Sequence, residues 1–284
     1  MDERAALAML ADQLEHAGDD AAWIDGLVLT TDMLHERTDL PAGVTPYTMG
    51  WRAVGASLSD VAAMGASAIA TVAVYAAPTF EPEALSRFVT GASEVSRLVD
   101  AAYVGGDLDH HDELTVVSTA VGRTDDPVLR SGASPGDGVF VTGRFGRTAA
   151  ALRLFEDGEI ERGNELFRFH PRVGAGCRLA GHATAMMDSS DGLARSLHQL
   201  ADASDCGFRI DGSAIPVHPA VEEVAQDRTD RDELARFVGE DFELVCTGPA
   251  AIADLDCPVT RIGDVTSAGV RLDDEPLPDR GYVH

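Results

Sequence analysis

The stretches Gly26-Leu-Val-Leu-Thr-Thr-Asp32 and Ser57-Leu-Ser-Asp-Val-Ala-Ala-Met-Gly-Ala66 decide the fold. The first is a short apolar run with β-branched residues, which predicts a buried strand that ends at a carboxylate. The second lies in a predicted helix, because Val54, Leu58 and Val61 recur at i, i+4 and i+7. A strand followed by a helix, each carrying an aspartate near its end, indicates an α/β or α+β chain.

Strands and helices alternate outward from these two stretches. Apolar periodicity and turn residues predict strands at 68–76, 114–121, 139–143 and 183–187, and helices at 46–64, 82–100, 147–155 and from 192 to about 203. The Gly105-Gly106-Asp107 sequence predicts a tight turn. The segment 130–138 is rich in turn formers and predicts a boundary between two domains, residues 1–133 and 134–284.

Composition excludes several classes of function. The 284 residues include 48 acidic and 22 basic residues, and every basic one is arginine, for a net charge of −26. Such a charge repels nucleic acid phosphates and anionic membranes, and it is typical of a halophilic protein whose carboxylates solvate the surface. The chain has no apolar run long enough to span a bilayer and begins with an acidic segment, so we expect a soluble, cytoplasmic protein. Its four cysteines are expected to be reduced core residues.

Acidic motifs recur at predicted strand ends and helix edges. They are Gly18-Asp19-Asp20, Thr30-Thr31-Asp32, Leu58-Ser59-Asp60, Gly106-Asp107 and Asp188-Ser189-Ser190-Asp191. Any one of them is explained by a turn or a helix cap. Together they offer hard carboxylate and hydroxyl oxygens without converging His or Cys, which is the donor set that Mg²⁺ prefers. Several aspartates can face a triphosphate only with cations between them, because like charges at about 4 Å repel by roughly 4 kcal/mol at an effective dielectric of 20.

The motifs occur in an order that resembles the thiamine-monophosphate kinase family. The series is GDD (18–20), TTDML (30–34), SLSDVAAMGA (57–66), GGD (105–107), RSGASPGD (130–137), DSSDGL (188–193), ASDCG (203–207) and GEDFEL (239–244). It covers about four-fifths of the chain, and two of its motifs, SLSDVAAMGA and GEDFEL, are long enough to be specific. The resemblance implies the two-domain fold of aminoimidazole-ribonucleotide synthetase, with an N-terminal domain that forms a homodimer through its sheet and a C-terminal α/β domain.

The same resemblance implies a nucleotide and several magnesium ions between the domains. The metal ligands that it implies are Asp20, Thr30, Thr31, Asp32, Asp60, Asp107, Asp188 and Asp191. The ATP contacts that it implies are Gly106, Asp107, Arg130 and Ser190. The implied substrate contact is Glu240, and two further substrate positions diverge: Asp39 stands where relatives carry a histidine, and Arg280 where they carry an aromatic residue, with Tyr282 two residues on.

The expected function is transfer of the ATP γ-phosphoryl group to thiamine monophosphate, a step of thiamine biosynthesis that yields thiamine diphosphate. The alternatives are a sibling ATP-dependent enzyme, selenophosphate synthetase-like or hydrogenase-maturation-like, and a non-catalytic acidic interaction module. No cysteine precedes Cys177, whereas selenophosphate synthetases normally carry an N-terminal cysteine or selenocysteine. Three further features are interpreted as surface or loop residues: His35, the pair His110-His111 and the Gly143-x-x-Gly146 sequence. The last of these weakly resembles a phosphate loop, so a functional role stays open.

Overall fold

The computed structural model describes residues 9–10, 13–14 and 16–282. The first half contains β1 (Ala22–Ile24), β2 (Leu27–His35), α1 (Glu36–Asp39), α2 (Pro46–Ala63), β3 (Ser67–Ala77), α3 (Pro82–Leu98), β4 (Ala102–His110) and β5 (Thr115–Arg123). The second half contains β6 (Gly138–Thr142), α4 (Arg147–Glu156), α5 (Ile160–Phe167), α6 (Val173–Leu179), β7 (Ala185–Asp188), α7 (Leu193–Ser204), β8 (Gly207–Ile210), α8 (Pro219–Val224), α9 (Arg228–Arg236), β9 (Leu244–Gly248), β10 (Val259–Thr266), β11 (Gly269–Leu272) and β12 (Glu275–Pro276).

The first half forms a five-stranded sheet in the order β1-β2-β5-β3-β4. Helices α2 and α3 pack against each other on its inner face, and they approach so closely that a Cβ at Gly50 would lie 2.1 Å from the Phe88 carbonyl oxygen. The other face of the sheet, which we call the outer face, exposes large apolar side chains. Those that define it are Leu27, Leu29, Met33, Val72 and Val74.

The second half forms a seven-stranded sheet in the order β12-β11-β8-β10-β6-β9-β7. Its core includes the fully buried Phe145 and Phe208, packed with residues from α7 and from the central strands. The two sheets lie in different halves of the chain, which confirms the predicted α/β architecture. The segment between β5 and β6 holds the predicted boundary at 133–134, which stays a prediction, and Ala133 already packs in the core of the second half.

Helix α2 lies between the two halves. Thr45 caps its first turn by accepting a hydrogen bond from the Thr48 amide at 3.2 Å, and the helix ends before Gly65, whose φ is +67°. Trp51 Nε1 donates to the Phe169 carbonyl at 2.6 Å, so the helix is also attached to the second half. Apolar residues on one face and small residues on the others let it be buried almost along its whole length.

Three sequence predictions about local structure are wrong. The strand predicted to end at Asp32 continues as β2 to His35, and only its residues Val28 and Thr30 are buried. Gly105-Gly106-Asp107 is not a turn but part of β4, in which the strand pairing shifts by one residue at Val104. Glycine is required there because a Cβ at Gly106 would lie 1.7 Å from the Ala73 carbonyl oxygen, so the glycines mark a bulge and a close backbone approach. The cysteines are free, but Cys177 is exposed rather than in the core.

No helix in the described ranges is long and apolar enough to cross a bilayer.

Candidate active site

Three aspartates from distant parts of the chain meet where the two halves join. Asp20 precedes β1, Asp60 lies in the last turn of α2, and Asp188 ends β7. One carboxylate oxygen of each lies within 4.8 Å of those of the other two. We call these three residues the carboxylate cluster. All three were predicted as metal ligands, and the fold brings them together.

Hydroxyl groups fix two of the three carboxylates. Thr30 on β2 donates to Asp60 Oδ2 at 2.5 Å, and Ser59 on α2 donates to Asp188 Oδ2 at 2.5 Å. The Ser189 hydroxyl beside them is buried and has no hydrogen-bond partner in the part of the chain that the structure describes. A buried polar atom without a partner is costly, so it indicates that a polar ligand completes this region.

Arg130 holds the third carboxylate. Its Nε and Nη2 atoms donate to the two oxygens of Asp20 at 3.1 and 2.9 Å, and its backbone amide donates to Asp19 Oδ1 at 2.7 Å. Burial lowers the pKa of Arg130, but the charges of Asp20, Asp188 and Asp60 raise it more, and the net pKa lies above its ordinary value. Arg130, predicted to contact ATP, is thus a permanent cation beside the carboxylate cluster.

Burial and mutual repulsion disfavour ionisation of the carboxylate cluster. Burial, followed by the neighbouring Asp20, raises the pKa of Asp188 to about 8. Burial, followed by Asp188 and Asp20, raises the pKa of Asp60 well above its usual range. Carboxylates with raised pKa values in a pocket of oxygen donors require either protons or a cation. The donor set therefore fits magnesium.

The strand pairing separates the other predicted metal ligands into two groups. Asp32 pairs with the buried Ser118 on the inner face, and its charge raises the pKa of both Asp60 and Asp188. Thr31 and Asp107 lie on the outer face, and the Thr31 hydroxyl donates to the Ser118 carbonyl at 2.9 Å. Gly106 and Asp107 are on the edge strand β4, three positions from β2 in the sheet, and Asp107 is not among the carboxylates that converge within the described residues.

The loop after β7 connects the carboxylate cluster to the Gly-Glu-Asp-Phe-Glu-Leu segment. The Ser190 carbonyl accepts from the Glu240 amide at 2.5 Å, and the Asp191 carbonyl accepts from the Tyr282 amide at 2.9 Å. Glu240 has a left-handed φ of +66°, and its carboxylate accepts from Arg52 Nη2 at 2.9 Å. The guanidinium of Arg52 is buried over the Phe167 ring, so Glu240 is held in one orientation.

The C-terminal aromatic residue at this site is Tyr282. Its hydroxyl donates to the Thr38 carbonyl at 3.3 Å, and burial together with the charges of Glu240 and Asp39 raises its pKa. Asp39 accepts from the His35 amide at 2.6 Å. Arg280 instead contacts Glu233 at 2.7 Å and covers the Phe237 ring. The geometry thus brings Tyr282, rather than Arg280, next to Asp39 and Glu240.

Sequence reasoning missed Arg52 and Ser59. Arg52 is the one charge on an otherwise apolar part of α2, which was a usable signal, because a charged side chain inside a buried helix needs a partner. Ser59 stands next to Asp60 in the Ser57–Ala66 stretch, but its partner Asp188 is 129 residues away. No local pattern predicts such a contact.

These two halves and the acidic site between them define a class of protein. The family described as AIR synthase related protein, N-terminal domain, matches residues 18–124, and the corresponding C-terminal domain matches residues 134–273. The chain therefore has the two-domain architecture of the AIR synthase-related proteins, as the sequence predicted.

Comparison with individual relatives identifies the family within this class. A curated thiamine-monophosphate kinase of Halobacterium salinarum is 55% identical over 291 residues, covering 100% of both chains. That of Methanospirillum hungatei is 43% identical over 265 residues, covering 91% of this chain and 88% of its own. A solved structure, AaThiL complexed with AMPPCP and TMP, matches with a TM-score of 0.91 and 27% identity, covering 100% of this chain and 97% of that one. The chain belongs to the thiamine-monophosphate kinase family, and it is an enzyme.

Proposed function

We propose that this enzyme transfers the γ-phosphoryl group of ATP to thiamine monophosphate and forms thiamine diphosphate. The observation that carries the proposal is the carboxylate cluster with Arg130 at the junction of the two halves, in a chain 55% identical to a curated kinase of that name. The solved relative described as complexed with AMPPCP and TMP supports the same pair of ligands. The test is ADP release with thiamine monophosphate and other phosphorylated acceptors; release that is no faster with thiamine monophosphate than without it refutes the proposal.

Magnesium is the metal that the donor set favours. Asp20, Asp60, Asp188 and Asp32 would hold it, and Asp191 stands at the start of the next helix. Bound there, it would neutralise the phosphates so that an anionic acceptor can approach an anionic donor. The orphaned Ser189 hydroxyl and the raised pKa values of Asp60 and Asp188 support this assignment.

We infer direct, in-line transfer without a phosphoenzyme. The phosphate of thiamine monophosphate is ionised near pH 7 and needs no general base. Burial raises the pKa of Cys206, Cys246 and Cys257, that of Cys246 to about 12, which makes them poor nucleophiles, and none of the four cysteines belongs to the carboxylate cluster. ATP that is chiral at the γ-phosphorus should therefore give inversion at the transferred phosphorus. Net retention, or radiolabel trapped on the protein without acceptor, contradicts direct transfer.

A homodimer joined through the outer face fits the exposed apolar side chains. Leu27, Leu29 and Met33 are 40%, 48% and 55% exposed on a protein of net charge −26, where charged residues would be expected. Asp107 lies on that face, so contact with a second copy would also bring Gly106 and Asp107 to a neighbouring site. Light scattering on the wild type and on Leu29→Asp tests this homodimer, and a wild type that is a monomer like the variant contradicts it.

A cytoplasmic location is part of the proposal, since the substrates are ATP and a soluble phosphate ester.

A further inference from the structure

A second cleft in the protein is lined by basic side chains. It follows β6, at the Gly143-Arg144-Phe145-Gly146 loop, and has a volume of about 460 Å³. We call it the arginine cleft. The basic residues that line it are Arg144, Arg147, His170, Arg172 and His218. None of the residues predicted for metal, ATP or substrate lines it.

The arginine cleft has an excess of positive charge in a strongly acidic chain. Its one acidic lining residue is Glu243, which Arg172 binds with two nitrogens at 2.6 and 2.5 Å. Arg144 and Arg147 make no ion pair with a carboxylate in residues 9–10, 13–14 and 16–282. Two of the three arginines are therefore available for an anion.

Arg147 is held in place without being neutralised. Its Nη1 donates to the Arg168 carbonyl at 2.7 Å, which orients the guanidinium. Burial lowers the pKa of Arg147 to about 10; Asp241 opposes this effect, and the charges of Arg52 and Arg172 add to it. An anion in the cleft would reduce this repulsion between neighbouring cations.

The two histidines provide neutral donors. Burial, followed by the charge of Arg147, lowers the pKa of both His170 and His218. His218 Nδ1 accepts from the Ala220 amide at 3.2 Å, so its proton is on Nε2. The cleft thus combines permanent cations with imidazole N–H groups.

The loop itself does not act as a backbone phosphate loop. Asp241 accepts from the Gly146 and Thr148 amides at 2.5 and 2.8 Å, so the first amides of α4 are already used. A Cβ at Gly143 would lie 2.0 Å from Glu243 Oε1, so this glycine is needed for packing. Recognition in the cleft therefore rests on side chains.

We propose that the arginine cleft binds a small organic phosphate at a site separate from the carboxylate cluster. The phosphate lies between Arg144 and Arg147, whose planar guanidinium groups suit its oxygens. The apolar part of the ligand lies against Pro216, Pro258 and Val259. The volume is within the range of about 300 to 1,000 Å³ typical of small-molecule sites and exceeds the need of a lone phosphate.

Calorimetry in EDTA at a fixed high KCl concentration tests the proposal, because without magnesium the carboxylate cluster repels phosphate. The probes are inorganic pyrophosphate, ADP and thiamine diphosphate. We expect ADP or thiamine diphosphate to bind more tightly than pyrophosphate. Arg144→Ala and Arg147→Gln should each weaken binding about tenfold, the loss expected for one charged hydrogen bond.

Two control variants make the result decisive. Arg228→Ala removes an exposed arginine outside the cleft, and Asp60→Asn alters the carboxylate cluster; both should bind the probe like the wild type. The proposal is overturned if no organic phosphate binds, if pyrophosphate binds as tightly as the organic probes, or if Arg228→Ala weakens binding as much as Arg144→Ala. Tighter binding in Asp60→Asn also overturns it, because in EDTA the loss of one negative charge strengthens phosphate binding only if the probe lies at the carboxylate cluster.

Discussion

Asp60→Asn removes one negative charge from the carboxylate cluster and keeps the volume of the side chain. Asp60 Oδ2 accepts from Thr30 at 2.5 Å, and an asparagine oxygen accepts the same bond. The neighbouring carboxylate oxygens of Asp20 and Asp188 lie within 4.8 Å. Two unit charges at that separation repel by about 3.5 kcal/mol at an effective dielectric near 20. Protonation already relieves part of this repulsion, because burial, Asp188 and Asp20 raise the pKa of Asp60.

The metal-free variant is therefore expected to be as stable as the wild type or more stable. With magnesium the sign reverses, since the same missing charge is lost attraction for a divalent cation. We expect kcat/KM to fall by about a hundredfold or more, which is about 2.7 kcal/mol or more of transition-state stabilisation. A gain or no change in stability, combined with a large loss of activity, is the signature of a ligand-binding carboxylate.

The assay is ADP release with thiamine monophosphate at saturating magnesium, paired with thermal unfolding in EDTA and in magnesium. The increase of the unfolding midpoint by magnesium should disappear in Asp60→Asn and persist in Asp254→Asn, which alters an exposed acid outside the carboxylate cluster. Wild-type turnover in Asp60→Asn refutes the reasoning. A midpoint several degrees lower in EDTA also refutes it, because Asp60 would then be a structural group.

Three further predictions concern salt, pH and the substrate end of the site. Because the protein has a net charge of −26, its unfolding midpoint should rise as KCl goes from about 0.1 M to 1 M and the Debye length falls from about 10 to 3 Å. A flat midpoint contradicts the halophilic interpretation. Burial raises the pKa of Asp188 from its ordinary value of 3.8 to about 8, so the folded state binds an extra proton between these values. The stability of the metal-free protein should therefore fall as pH rises from about 4 through 8, and a rise over that range in EDTA contradicts the raised pKa. Tyr282→Ala should raise KM for thiamine monophosphate several-fold, while Arg280→Ala should leave KM unchanged. A raised KM in Arg280→Ala and an unchanged KM in Tyr282→Ala would show that Arg280, not Tyr282, contacts the substrate.

Local patterns predicted the main elements because each carries its own signal. The helix predicted at 46–64 is α2, Pro46–Ala63, since its 3.6-residue apolar period and Gly65 define both its face and its end. The strand predicted at 114–121 is β5, Thr115–Arg123. Among the acids that gather, only Asp188 ends an apolar strand, β7, and Asp20 and Asp60 were expected at the site because of the family resemblance.

Other features depend on contacts that no local pattern contains. Arg130 binds Asp20 across 110 residues, so sequence reasoning took it as an ATP contact without its carboxylate partner. The bulge at Val104 sets the face on which Asp107 lies, and the two glycines that accommodate it have the composition of a turn. Tyr282 reaches Thr38 only because the C-terminal segment crosses back to the N-terminal half.

The position of α2 has a consequence for how the protein can be divided. One helix carries Arg52, which fixes Glu240, and two turns later Ser59 and Asp60, which hold the carboxylate cluster. Its sides are covered by the first sheet and by the second half, down to Gly176, where a Cβ would lie 2.1 Å from the Ala62 carbonyl oxygen. Neither half alone can supply both coverings. We therefore expect truncation or domain exchange at the connecting segment to uncover the helix and dismantle both ends of the site together.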